Sequence, residues 1–236
     1  MIYITGDIHG DTDRLSKTEL SMMHSGDTII VCGDFGFIWN NDLKENQFLT
    51  RLEKRKYNIC FIDGTHENFD VLNSFPVVQW NGGKAHKIRN NIYHLMRGQI
   101  FEIEKKKIFT MGGGEDPELD LHETDDLNDR KEIPTTQEML SGVSNLERHS
   151  YKVDYIITHE PPAKIRDFLL LSDNKTLRVT ALGAYLDELS QQTEFSKWYF
   201  ASLHIDKFIS EAYASLFKNI IPIEHYEPKK PLRKLR

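Results

Sequence analysis

Acidic and imidazole side chains recur in this chain in five short blocks: Asp7-Ile8-His9, Gly33-Asp34, Gly64-Thr65-His66-Glu67, Thr158-His159 and Ser202-Leu203-His204. Carboxylate and imidazole together suit divalent cations such as Mn²⁺, Fe or Zn²⁺, and histidine also serves general acid–base catalysis because it titrates near neutrality. Read singly, each block is ordinary. Gly33-Asp34 is a turn dipeptide, and a histidine at a strand end is satisfied by a hydrogen-bond partner. The combination carries more, because carboxylates gathered at one place repel one another unless a cation holds them.

What gathers them must be the elements they follow. Six segments share one form, a short apolar, β-branched or aromatic run that stops at small and polar residues: "MIYITGDIHG", "DTIIVCGDFG", "YNICFIDGTHEN", "KIFTMGGGED", "VDYIITHEPP" and "KWYFASLHID". Between the first three lie "TDRLSKTELSMMH" and "NDLKENQFLTRLEKRK", which have helical periodicity. Strand, helix, strand is the reading. It puts each loop after a strand at the carboxyl edge of a sheet, where open α/β sheets bind their ligands. The stretch "NIYHLMRGQIFEIEKKKIFTMGG" reads as a meander with turns at Arg97-Gly98 and Lys105-Lys106, and "EAYASLFKNIIPIEHY" as a late hairpin. These supply antiparallel partners and a second sheet. Asn68 is placed to cap a helix over "FDVLNSF", which makes Glu67 structural.

The 236 residues, 39% of them apolar, suit one compact domain over 1–236. Lys+Arg 30 against Asp+Glu 36 leaves a net charge of -6, which excludes a general electrostatic attraction to nucleic acid or to an anionic membrane. A phosphate ligand would need a local site. Cys32 and Cys60 sit inside apolar runs, where a free thiol is a small core residue, and a cytoplasmic chain fits that use. No stretch reaches the roughly 20 apolar residues that span a bilayer, and the N-terminal sequence lacks the pattern of a secretory leader. The oligomeric state is not legible.

In order and spacing the five blocks resemble the calcineurin-like metallophosphoesterases, whose motifs run D-x-H, G-D, G-N-H-[DE], a separate His, and G-H-x-H. The resemblance takes in nearly the whole chain. It implies an α/β fold, a four-layer αββα sandwich of two mixed β-sheets flanked by helices, with two metal ions bridged by hydroxide at the strand ends. Carried over position by position, the first metal pocket is complete: Asp7, His9, Asp34 and His204. The second shares Asp34 and uses His159, but Thr65 stands where the family has Asn and Ser202 where it has His. A hydroxyl oxygen is a poorer donor than imidazole, yet hard cations accept oxygen and water freely. One tight and one weak site are therefore expected, with Thr65 and Ser202 binding weakly or through water. Mn²⁺ suits such ligation best, with Fe, Zn²⁺ or Mg²⁺ as the other options.

The chemistry the resemblance implies is hydrolysis of a phosphomonoester or phosphodiester by a metal-activated hydroxide, with His66 as the general acid that protonates the leaving oxygen. The other reading of His66 is a hydrogen-bonded loop residue. The partner would be a phosphorylated small molecule, a nucleotide or a phosphoprotein. Against the enzyme stands a second function, a catalytically impaired relative that binds a phosphorylated ligand or a partner protein, which the changes at Thr65 and Ser202 favour. "GDIHG" and the His-Glu of "GTHEN" resemble the branch that holds protein Ser/Thr phosphatases and dinucleoside polyphosphate hydrolases, but "GDFGFIW" lacks the Asp-Arg-Gly that follows Gly-Asp there. Arg89 and Arg97 are the candidates for a phosphate contact. Residues 115–132 hold nine acidic against two basic side chains and read as a solvated loop, and the basic 227–236 reads as a frayed tail.

Overall fold

The computed structural model describes residues 1–16, 18–21, 23–115, 130–170 and 178–225. The first half of the chain builds β1 (Ile2–Thr5), α1 (Thr18–Ser21), β2 (Thr28–Val31), α2 (Leu43–Glu53), β3 (Asn58–Phe61), α3 (Phe69–Asn73), β4 (Val77–Trp80), β5 (Gly83–Arg89) and β6 (Ile92–Leu95). The second adds β7 (Gln99–Ile103), β8 (Lys106–Met111), α4 (Thr136–Arg148), β9 (Tyr155–Thr158), α5 (Ala163–Leu170), α6 (Ala181–Gln192), β10 (Lys197–Phe200), β11 (Lys207–Phe208), β12 (Tyr213–Ser215) and β13 (Ile220–Pro222).

Two mixed sheets result. A seven-stranded sheet runs β13-β1-β2-β3-β6-β5-β4 and a six-stranded sheet runs β11-β12-β10-β9-β8-β7. Strands β1, β2, β3 and β6 are mutually parallel, as are β8, β9, β10 and β12, while the edges are antiparallel. The central strands are buried on both faces, which explains why they read as unbroken apolar runs rather than alternating ones.

Three apolar clusters define the layers. Ile4, Ile30, Cys32, Cys60, Ile62, Phe101, Ile108, Ile157 and Tyr199 fill the space between the sheets. Ile29, Val31, Ile59 and Phe61 turn outward against Phe48, Leu49 and Leu52 of α2, and Phe109, Ile156, Trp198 and Phe200 against Leu146 of α4 and Leu182, Leu186 and Leu189 of α6. The order helix, sheet, sheet, helix is the four-layer sandwich expected. Both cysteines are free and buried. No helix among the described residues is long and apolar enough to cross a membrane.

Four expectations are corrected. The stretch around "NIYHLMRGQIF" is not a meander: β6 lies between β3 and β5 of one sheet, and the chain then crosses at Met96–Gly98 to start β7 in the other. The following turn centres on Glu104 and Lys105, both with positive φ, so its register is one residue earlier than Lys105-Lys106. "EAYASLFKNIIPIEHY" is not a hairpin, because β12 and β13 join different sheets. A strand pattern records burial and alternation but not which sheet receives it. The helix expected over "TDRLSKTELSMMH" is confined among the described residues to Thr18–Ser21; the Asp11 carboxylate accepts from the Asp13 amide and favours turns there instead. The acidic stretch 116–129 and the basic tail from 226 onward lie outside the described residues.

Candidate metal centre

All five blocks emerge at the carboxyl ends of parallel strands: Asp7 and His9 after β1, Asp34 after β2, Thr65 and His66 after β3, His159 after β9, Ser202 and His204 after β10. Backbone hydrogen bonds tie these loops together. The Ile8 and His9 amides donate to the Asp34 carbonyl at 3.1 and 2.7 Å, and the Ala201 and Ser202 amides both donate to the His159 carbonyl at 3.1 Å. His9, Asp34 and His204 have φ of 50, 41 and 51°, a left-handed conformation that non-glycine residues seldom adopt and that is stored at functional sites.

Asp7, His9, Asp34 and His204 each present a ligand atom within 4.8 Å of the other three. His204 Nε2 stands 3.0 Å from Asp7 Oδ2 and 3.1 Å from His9 Nε2, and His9 Nε2 stands 3.6 Å from Asp34 Oδ2. Two ligands bound at about 2.1 Å and at right angles to each other are separated by roughly 3 Å, so these spacings fit one cation. Both Asp7 carboxylate oxygens are buried and accept no well-aligned hydrogen bond among the described residues; their polar neighbours are the imidazoles of His204, 3.0 Å from Oδ2, and His159, 3.5 Å from Oδ1. A buried carboxylate flanked only by imidazoles, themselves metal-ligating groups, has acceptor capacity to spare, and a cation is a partner that both oxygens would accept. The residues present therefore fit a divalent metal in the first pocket.

His159 lies outside this quartet. Its Nδ1 is 3.5 Å from Asp7 Oδ1 and 3.3 Å from the Cys32 carbonyl, and its Nε2 is 3.9 Å from Asp34 Oδ2. Burial alone would drive off its proton, but the Asp7 and Asp34 carboxylates hold it, pushing the imidazole up to about 10. Burial likewise disfavours charge on Asp7, yet His159 and His204 keep it at about 2. The second pocket thus brings together only Asp34 and His159 of the family's usual set. Thr65 Oγ1 is 3.1 Å from His66 Nδ1, and Ser202 Oγ donates to Glu160 Oε2 at 3.2 Å.

His66 stands at the exposed rim with its Nδ1 3.3 Å from Asp34 Oδ2, while its amide donates to Asp34 Oδ1 at 2.8 Å. Glycine is needed just before this block, since a Cβ at Gly64 would come within 2.1 Å of Asp34 Oδ1. Glu67 turns inward and accepts from the Phe35 amide at 2.7 Å, and Asn68 caps α3 through the Val71 amide. Where the phosphatase branch carries Asp-Arg-Gly, Phe35 and Phe37 instead enter the outer core, Phe35 stacking on Phe61 at 4.3 Å.

Arg89 and Arg97 do not serve the cleft. Arg89 donates to the Ile88 carbonyl and Asn46, and buried Arg97 pairs with Asp63 and Glu138. Asp63, adjoining Gly64, also contacts His94 Nε2 at 3.0 Å, and His94 Nδ1 meets His86 Nδ1 at 2.9 Å. Burial would raise the Asp63 carboxyl, but Arg97 and His94 hold it well below the usual range. This network borders a cavity of about 660 Å³ that none of the candidate ligands lines. Sequence reading also missed Arg14, whose guanidinium donates to the Asp7 carbonyl at 2.8 Å and fixes that turn; nothing in its surroundings in the sequence marks it. Glu160 was missed as well, although it adjoins His159.

An αββα sandwich with carboxylates and imidazoles converging at its strand ends defines a metallophosphoesterase. The calcineurin-like phosphoesterase family matches residues 1–208, and the chain belongs to that family of metal-dependent phosphoesterases. No curated protein matches it. Among solved structures, a phosphopantetheinyl hydrolase from Mycobacterium tuberculosis is similar at 12% identity, with a TM-score of 0.47, over 92% of this chain and 89% of that one.

Proposed function

We propose that this protein hydrolyses a phosphomonoester or phosphodiester at a two-cation centre with one tight and one weak site, Mn²⁺ being the best-suited ion. The observation that carries the reading is the convergence of one ligand atom each from His9, Asp34, His204 and the fully buried Asp7 within 4.8 Å of one another. Bound cations would supply a water of lowered pKa and positive charge facing the phosphoryl oxygens. Asp34 reaches toward both pockets, and its contact with His66 Nδ1 orients the ring. With Nδ1 so engaged, Nε2 is the atom left to donate a proton to the leaving oxygen. His66 is the proposed general acid; His159, Thr65 and Ser202 belong to the weak site. The substrate class is a phosphorylated small molecule, nucleotide or phosphoprotein, met in the cytoplasm.

A second reading rests on Thr65 and Ser202: with two expected ligands replaced, the protein would bind a phosphorylated ligand without turnover. Titrating Mn²⁺ into metal-stripped protein while following nitrophenyl phosphate and bis(nitrophenyl) phosphate separates the two. Turnover that saturates only after a second, weaker ion binds supports the enzyme. A single bound ion and no turnover at high Mn²⁺ supports the binder.

A further inference from the structure

Resting on the two-cation reading, we propose that Glu160 is the anionic ligand of the weak site, taking over from the imidazole missing at Ser202, and that Ser202 positions it. The carboxylate lies between the two residues that depart from the family pattern. Its Oε2 accepts from Ser202 Oγ at 3.2 Å, and its Oε1 lies 3.1 Å from where a Cβ would stand at Gly114, a point 2.5 Å from Thr65 Cγ2. Only a residue without a side chain leaves that space open, and Gly114 supplies it. Glu160 thus borders the same gap as Thr65 and Ser202, and it follows His159 directly in the chain.

The placement is firm at the backbone and free at the tip. Thr158 Oγ1 donates to the Glu160 carbonyl while accepting from Trp198 Nε1 at 2.8 Å, and Pro161 and Pro162 follow directly. The carboxylate has no Lys or Arg within ion-pair distance among the described residues, and Ser202 is its one hydrogen-bond donor there. A half-buried carboxylate with a single hydroxyl donor has acceptor capacity to spare, and a cation entering the gap between Thr65 and Ser202 would use it. Replacing a neutral nitrogen donor by a carboxylate oxygen changes ion choice: it favours hard Mn²⁺ or Mg²⁺ over Zn²⁺. Ser202 then acts as the hydrogen-bonding residue that orients a ligating carboxylate.

The test is calorimetric titration of Mn²⁺ into metal-stripped wild type, Glu160→Gln and Glu160→Gln/Ser202→His, with low-temperature EPR to detect a coupled Mn²⁺ pair. The expected result is two ions in wild type, an unchanged tight site but at least tenfold weaker second site in Glu160→Gln, and recovery of the pair signal in the double variant. Glu160→Asp, which keeps the charge but shortens the reach, gives an independent reading should the Gln variant fail to fold, and it too should weaken the second site. A second-site affinity unchanged in Glu160→Gln or Glu160→Asp overturns the role of Glu160 and leaves the two-cation reading standing. One ion in wild type and variants alike overturns both.

Discussion

His9 Nε2 and His204 Nε2 face each other at 3.1 Å although 195 residues separate them along the chain. Neither ring nitrogen gains much from the other, since a neutral pair shares one proton and a doubly protonated pair repels. A cation bound between them would serve both nitrogens, with Asp7 Oδ2 and Asp34 Oδ2 completing its surroundings. Asp34→Asn removes the carboxylate that both pockets share and halves the negative charge of the tight one. The expected outcome is loss of Mn²⁺ binding at both sites and loss of hydrolysis to background, with far-ultraviolet circular dichroism unchanged. Retention of either ion at wild-type affinity would contradict the assignment of Asp34.

A pH dependence follows from the buried pairing of His159 with Asp7. The folded-state value of His159, about 10, lies above its ordinary 6.5, so its stabilising charge is fully present below pH 6.5 and is lost as pH rises toward 10. Asp7 has the opposite sign: held at about 2 against an ordinary 3.8, it contributes above pH 3.8 and is lost only in acid. Metal-stripped protein is expected to show a falling Tm between pH 7 and pH 10, whereas Mn²⁺-loaded protein, in which His159 must be neutral to ligate, falls less. Mn²⁺ affinity should rise over the same window. A flat Tm for stripped protein across it would mean that His159 carries no proton there.

Much of this was legible in the residues and some was not, for reasons that separate cleanly. Asp7, His9, Asp34 and His204 could be placed because each follows a strand that is buried on both faces and therefore reads as an apolar run. The sheet assignment of β7, β12 and β13 could not, since those strands look alike wherever they pair. Glu160 escaped notice because its importance depends on Ser202, 42 residues away, and on the space at Gly114. Arg97 was misread as a phosphate contact because an arginine before a turn gives no sign that two carboxylates wait inside.

Arg97 is expected instead to hold the loop that carries Thr65 and His66. Its Nε donates to Asp63 Oδ2 at 2.8 Å and its Nη1 to Glu138 at 3.2 Å, while Nη2 donates to the Lys131 and Glu132 carbonyls. Arg97→Met leaves the Asp63 carboxylate buried beside His94 without its main counter-charge, at a cost of about 3–5 kcal/mol in denaturant unfolding. Adding Asp63→Asn should return part of that loss, because the remaining partner no longer carries a buried charge. Equal losses in single and double variants would show that Arg97 contributes packing rather than charge.

His66 is separable from the metal ligands by a leaving-group test. It touches Asp34 through Nδ1 and its amide, yet its side chain is 70% exposed, as a group that meets substrate should be. His66→Asn keeps a polar side chain in the loop but removes the proton donor. A general acid contributes typically 10²–10⁴-fold, and it matters most when the departing oxygen is basic. The variant is expected to bind Mn²⁺ with unchanged stoichiometry and to lose about 10²-fold or more in kcat on an alkyl phosphate ester, but far less on a nitrophenyl ester, whose leaving group needs little protonation. An equal loss on both esters would assign His66 to holding the loop or the metals, not to proton transfer.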